Sequence, residues 1–372
     1  MAQKTKQKLL KQLKWGIATF VVVAIPIVVP LSPTFANNEN SSVTVENGPV
    51  APSIKNIRYK IPVKFNHGSE FAEGLAPVKI GNKYGFINKG GKLIIQANFA
   101  EVWAFSDGLA AVKFDSKWGY INRRGRFVIQ PQFDEANLFD EGLASVKVGN
   151  KYGFINKKGK LVIQPQFDAI ASYNFVNASS FVEELASVKI GEKYGFINKK
   201  GELKIPAQFE ETFFFKDGLA AVKVDGKWGF INKQGKFAIQ PQYDSANFFR
   251  EELTSVKIGD KYGFINKQGK LVIAAKFDAA TQFQEELARV KIGDKYGYIN
   301  HNGDFVIEPK YADATVFSEG LAQVKIASKW GYINKNGELV IEPQFDEVRH
   351  FSEGLSNVCV SNKCGFIRNP LE

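Results

Sequence analysis

Histidine, cysteine and methionine are scarce in this 372-residue chain, which holds three, two and one of them. That scarcity excludes most metal and thiol chemistry. None of His67, His301 and His350 has a second candidate ligand at metal-binding spacing, so no metal site is expected. No phosphate-cradling glycine loop and no nucleophile elbow occurs, so no cofactor and no catalytic residue is assigned. The chain is expected not to be an enzyme. Long apolar runs are also missing, with one exception near the start, and the first 36 residues contain no acid.

That exception has a recognisable order. Lys4, Lys6, Lys8, Lys11 and Lys14 precede "WGIATFVVVAIPIVVPL", and "SPTFA" follows with small residues at Thr34 and Ala36. Basic, apolar and small segments in that order predict an export signal over residues 1–36, cut between Ala36 and Asn37. The run is short for a bilayer span and carries Pro26 and Pro30, which disrupt a spanning helix. An uncleaved anchor is the alternative. No second apolar run follows, so no stable membrane insertion is expected after signal removal, and the location is read as periplasmic or extracellular. Residues 37–56 read as a flexible polar linker. The formal charge is +11, of which +6 remains once the five leading lysines are set aside. So modest an excess is compatible with acidic partners without requiring them, and no nucleic-acid partner is expected.

What the chain does have is repetition. "KYGFINKKGKLVIQPQF" at 151–167 returns as "KYGFINKKGELKIPAQF", "KWGFINKQGKFAIQPQY" and "KWGYINKNGELVIEPQF". The glycine after the aromatic falls at 85, 119, 153, 195, 229, 263, 297, 331 and 365, a period of 34 with one step of 42 where "SYNFVNASS" is inserted. Such a period signifies a repeat architecture. Within one copy, "LASVKVGNKYGFIN" reads as a hairpin with a two-residue tip, Gly-Asn here and Asp-Gly or Gly-Asp elsewhere. "NKKGK" reads as a three-residue loop, with Asn156 bonding back to the turn and Gly159 supplying a positive φ. Carried onward, this register places Val146, Val148, Gly153, Ile155, Leu161 and Ile163 on one sheet face. Lys147, Tyr152, Phe154 and Val162 fall on the other. A glycine inside a strand implies a close approach, and "QFDEANLF" is the segment expected over Gly153.

"KWG" at 117–119, 227–229 and 329–331, within "KWGYINxxGxxVIxPxFDxxxxFxEGLAxVK", resembles the WG (KWG) repeat family of bacterial proteins. The resemblance covers nine copies over residues 57–367, leaving 368–372 as a tail; six copies replace the Trp by Tyr or Cys. It implies β-rich arrays and protein–protein contact, and brings no catalytic residues.

The fold class is therefore all-β, with tandem antiparallel meanders. "YKIPVKF" matches the second half of a copy and the chain closes on a first half, which leaves two readings. An open, curved solenoid is favoured, because three strands per unit are few for a blade and nine units exceed the usual ring. A closed propeller-like ring is the alternative.

The function expected is an exported scaffold binding another protein. Its contacts should fall where copies differ, as at Trp103 and at Tyr173 in the insertion. The alternative is an acidic envelope or extracellular polysaccharide, held by the lysine row that includes Lys151, Lys193, Lys227, Lys261 and Lys295. Those lysines otherwise serve as solubilising strand ends. Cys359 and Cys364 are expected to face each other across the last hairpin as a disulfide.

Overall fold

A computed structural model describes residues 54–171 and 181–372; Ala36, Asn37, the signal segment and Tyr173 lie outside them. The described residues form nine four-stranded antiparallel sheets. In the third, Glu135–Ala136, Leu143–Val148, Lys151–Asn156 and Leu161–Phe167 pair in chain order. The ninth sheet has Glu347–Val348, Leu355–Val360 and Lys363–Arg368 from the end of the chain and takes its outer strand, Tyr59–Phe65, from the beginning. Ile61 stands opposite Phe366 and Phe65 opposite Cys364. The array is a closed nine-bladed propeller, not the open solenoid expected. Two things reverse that expectation: each blade has a fourth strand, only two residues long, and the two half-copies unite into one blade.

The core lies between blades. Leu143, Phe154 and Ile163 of the third blade pack against Phe181, Ala186, Val188 and Ile197 of the fourth. The joint that closes the ring is built alike, with Ile61, Phe65, Leu355 and Phe366 against Phe71, Ala76, Val78 and Ile87. A fully buried side chain of this kind stabilises by about 1.5–3 kcal/mol. No blade covers its own apolar face, so the stack is stable only when every blade has a neighbour on both sides.

The hairpin register is as the turns dictate, with Val148 opposite Lys151 and Val146 opposite Gly153. In the loop, Asn156 Oδ1 accepts from the amides of Lys158 and Lys160 at 3.0 and 3.1 Å, and Gly159 has φ +78°. The outer strand departs from the expected register. Ile155 faces Leu161, but a bulge then sets Ile163 opposite Phe154. Ile163 therefore does not share a face with Gly153. A second register shift, between the Phe154–Ile163 and Tyr152–Phe167 pairs, explains the glycine: a Cβ there would lie 2.6 Å from the Ile163 carbonyl oxygen and 2.7 Å from Pro165 N. The close approach comes from the same blade's outer strand, and not from the segment equivalent to "QFDEANLF". The end of the expected linker is docked as well, since Ile54 N donates to the Val340 oxygen at 2.9 Å.

Candidate functional site

Antiparallel order puts the hairpin tips and blade-to-blade connections at one end of the ring, and the remaining turns at the other. At the tip end, Asp134 begins the third blade, accepts from Lys117 Nζ of the second at 2.5 Å, and accepts from Gly149 N of its own tip at 2.7 Å. The Lys117 hydrogen bond, then the Gly149 amide, hold its carboxyl below the usual aspartate range. Lys151, Lys227 and Lys261 repeat the contact with Asp168, Asp244 and Asp278 at 2.5 Å, and Lys193 reaches Glu210 at 3.6 Å. Lys329 pairs with Asp346 in the same way. Lys295, Lys83 and Lys363 differ, because Ala312, Ala100 and Asn66 stand where the acid would be. The lysine row is thus mostly a set of joints between blades, with its charge answered locally.

A second lysine row lies beside the repeated aromatic. Lys147 Nζ sits 5.4 Å from the Tyr152 ring centroid and 2.7 Å from Glu135 Oε1. In the ninth blade this lysine and aromatic are replaced by Cys359 and Cys364, paired in the same register and joined by a disulfide.

At the opposite end, the acid before each second strand has a positive φ and bridges blades. Glu73 accepts from Gly108 N at 3.0 Å, Asp107 from Gly142 N at 3.0 Å, and Glu353 closes the circle onto Gly74 N at 3.1 Å. Lys157, Lys233 and Lys89 neutralise Asp107, Glu183 and Glu353. These turn acids therefore bond to the next blade and not within their own turn. Three blades add a buried tyrosine where the others have phenylalanine: Tyr120 and Tyr298 donate to the Asn137 and Thr315 carbonyls of the following blade at 2.8 and 2.6 Å, and Tyr332 to that of Arg349 at 3.3 Å.

The residues that recur are thus spent on building the ring. Those that differ converge elsewhere. One recess of about 640 Å³ is lined by Phe248, Gln282, Val316, His350 and Glu70. These occupy the same place in five consecutive blades, two residues beyond the first strand, so the first strands and the segments after them form the channel wall. Going round the wall, Phe214 and Phe248 put aromatic rings at this place in the fifth and sixth blades, and Gln282, His350 and Glu70, with Val316 among them, make a largely polar arc from the seventh blade round to the first. Phe214 and Phe248 touch with ring centroids 5.0 Å apart. Trp103 stands on the wall in the second blade, 40% exposed, stacked on Trp118 and donating through Nε1 to the Ala136 oxygen at 3.0 Å. The insertion that contains Tyr173 follows Ala169–Ile170, the first strand of the fourth blade.

Glu70, Phe214, Phe248, Arg250 and Arg289 belong to no repeated motif, and His350 enters the sequence analysis only as a histidine without a second ligand. Their signal was the departure itself, for example Arg289 in "LARVK" where five other copies carry Ala or Ser. Burial holds His350 below its ordinary range; Glu70 acts the other way, and Arg349 and Arg289 reinforce the shift. Among the described residues no group of His, Cys, Asp and Glu could hold a metal ion, and no helix is long and apolar enough to cross a membrane.

The family model of the WG-containing repeat matches nine consecutive stretches, from 58–84 to 330–364. No curated protein matches the chain. Among solved structures it is similar to a eukaryotic initiation factor, at TM-score 0.56 and 12% identity over 87% of this chain and 94% of that one. It is also similar to the C-terminal WD40 domain of Sif2, at TM-score 0.45 and 8% identity over 86% and 100%. A third is PorZ, a surface component of the type-IX secretion system of Porphyromonas gingivalis, at 0.31 and 8% over 82% and 50%. The first likeness concerns the fold alone, and the other two are too distant to carry an argument.

Proposed function

The chain belongs to the WG-containing repeat family, and from that premise we propose that it is an exported, non-enzymatic ring that binds another protein through its channel wall. The observation that carries this reading is the separation of residues into two classes. Most positions shared by the copies are buried, paired with a neighbouring blade or occupied by turn residues, whereas the place two residues beyond the first strand changes from blade to blade and lies on the wall. A specific partner has no ninefold symmetry, so it is recognised by residues that break the symmetry. The wall is also aromatic along one arc, and exposed aromatic side chains are the usual anchors of protein interfaces.

Export is supported by the order of residues in the first 36 and by the Cys359–Cys364 disulfide, which suits an oxidising compartment. The rival ligand, an acidic polysaccharide, draws less support, because most of the tip lysines already face a carboxylate. Lys83, Lys295 and Lys363 are the three without one.

The test is retention of a partner from an envelope fraction at two salt concentrations. Replacing Trp103, Phe214 and Phe248 together by Ala should abolish retention while the melting temperature stays within a few degrees. Changing Lys193, Lys227 and Lys261 to Gln should leave it intact. The reverse pattern, with binding to acidic-polysaccharide resin lost in the lysine variant, would replace the protein reading with the polysaccharide one.

A further inference from the structure

The polar arc of the channel carries charge that the rest of the ring does not leave unanswered. At the tips, six lysines have a carboxylate partner. In the recess of about 640 Å³ the cations are instead arginines, Arg250 and Arg289, and among the described residues neither forms an ion pair. Arg250 Nη1 donates to Gln284 Oε1 at 2.9 Å. Arg289 lies 4.9 Å from the Tyr296 ring centroid and donates to the Ala314 oxygen. Each guanidinium is therefore held in place by one neutral acceptor and has further N–H groups to offer. Glu70 is the one carboxylate in the lining, and it forms no ion pair among the described residues. Burial depresses the proton affinity of His350, and its buried Nδ1 has no hydrogen-bond partner. With Glu70 counted, the recess keeps a net positive charge, while Gln282, Thr281 and Thr315 supply polar walls and Phe248 and Val316 an apolar rim.

We propose that this recess binds a carboxylate of an acidic peptide segment, with Arg250 and Arg289 as the anion-holding pair and Phe248 and Val316 taking up an adjacent apolar side chain. The proposal rests on the reading of the channel wall as a partner-binding surface and names the chemistry that one arc of it selects. Arginine suits the task because its planar fork matches a carboxylate with two parallel hydrogen bonds, and ring-stacking on Tyr296 fixes one fork before the ligand arrives. An inorganic anion would use the guanidiniums and leave the apolar rim empty, so the peptide is the better fit.

The full chain is titrated calorimetrically with the peptide Ac-Phe-Glu-Glu-Phe-NH2, with its Gln-for-Glu counterpart, and with inorganic phosphate. The acidic peptide should bind at least tenfold more tightly than the other two, and raising salt should weaken it. Arg250→Gln should reduce its affinity roughly tenfold, the scale of one charge-assisted hydrogen bond lost. Arg289→Lys, which keeps the charge and removes the fork, should reduce it as well, with thermal melts reporting that both variants fold. Equal binding of the Gln peptide, equal binding of phosphate, or unchanged affinity in both arginine variants would overturn the assignment. If a partner is retained from the envelope fraction but is indifferent to Arg250→Gln, the scaffold reading stands and this one falls. If no partner is retained while the acidic peptide binds in an arginine-dependent way, the recess stands without the scaffold.

Discussion

The joints between blades and the wall of the channel are built from the same repeated unit, yet they differ in almost every respect. At the joints, one arrangement recurs around the circle: lysine to aspartate at the tips, acid to backbone amide at the opposite turns, and phenylalanine into the next blade's core. On the wall the same two places hold Trp103 and Ala104 in one blade, Phe213 and Phe214 in another, Arg349 and His350 in a third. The difference teaches how stability and recognition are divided. A change at a joint is a change to an architecture used nine times, and it should be felt in the melt. A change on the wall should be felt by the ligand.

The sharpest way to break the comparison is at Gly229, an invariant position. A Cβ there would meet the Ile239 oxygen and Pro241 N, both at 2.6 Å, and backbone atoms inside a sheet cannot withdraw. Gly229→Val should destabilise by about 3 kcal/mol or more, while Gln234→Thr in an exposed turn should be nearly silent. Thermal melts that rank the two alike would refute the close approach as the reason for the glycine.

Acid attacks all the tip joints together. Asp134, Asp168, Asp244, Asp278 and Asp346 are each held below the ordinary range, first by a lysine hydrogen bond and then by a tip amide. Because their folded values lie below the unfolded one, about 3.9, this contribution is complete above that value and is lost as pH falls through the depressed ones. Melting temperature should therefore drop below about pH 4. Replacing the five acids by Asn should flatten that drop, and an unaltered acid limb would remove the joints from the explanation.

A smaller effect separates the ninth blade from its neighbours. There a disulfide stands where other blades place lysine against an aromatic ring, and closing so short a loop contributes about 2 kcal/mol or less. Cys359→Ser should leave the ring closed, because the hairpin is flanked by strands on both sides. Amide exchange should rise mainly between Leu355 and Arg368. Exchange spreading evenly through all blades would give the disulfide a global role instead.

The smallest effect concerns turns where glycine is missing. Glu286 has φ +72° in a place where six blades carry glycine. Left-handed backbone costs a non-glycine residue about 1–2 kcal/mol, and glycine's greater unfolded-state freedom offsets part of the relief. Glu286→Gly should stabilise by up to about 1 kcal/mol, and a loss of stability would show that the side chain contributes more than the turn conformation costs.

The hairpins were legible because their determinants are local. Asn156 and Gly159 specify a loop, the loop specifies the register, and the register brings Cys359 opposite Cys364. The ring was not legible for reasons of scale. A first strand of two residues, such as Glu135–Ala136, shows no alternation, and without it each unit looks too thin to be a blade. The bulge between Leu161 and Ile163 shifts the pairing with no glycine in its own strand, and Gly153 signals a close approach without saying which segment makes it. Whether stacked units curve into a spiral or meet end to end depends on a small rotation at each interface, and no single residue records it. The lysine row could be located but not interpreted, since its partners lie 17 residues further on in the next blade. The channel residues share no motif, which is why a search for motifs passes over them.

Closure of the ring has a consequence for how the chain comes to be folded. Ser352 Oγ donates to the Phe71 oxygen across 281 residues of sequence, and Tyr59–Phe65 finds its partner strand only in Lys363–Arg368. Every other blade can pair its four strands from one stretch of chain, so hairpins form locally, but each blade is stabilised only as its neighbours arrive, and the last joint carries the largest loop-closure cost. During synthesis the first strand made is the last to be used, and until then it is an unpaired strand with apolar Ile61 and Phe65 in the open. The same geometry sets the two ends of the ring side by side in one sheet. A permuted chain that links those ends and opens at any other blade junction would keep every strand pairing, and only the order of assembly would change.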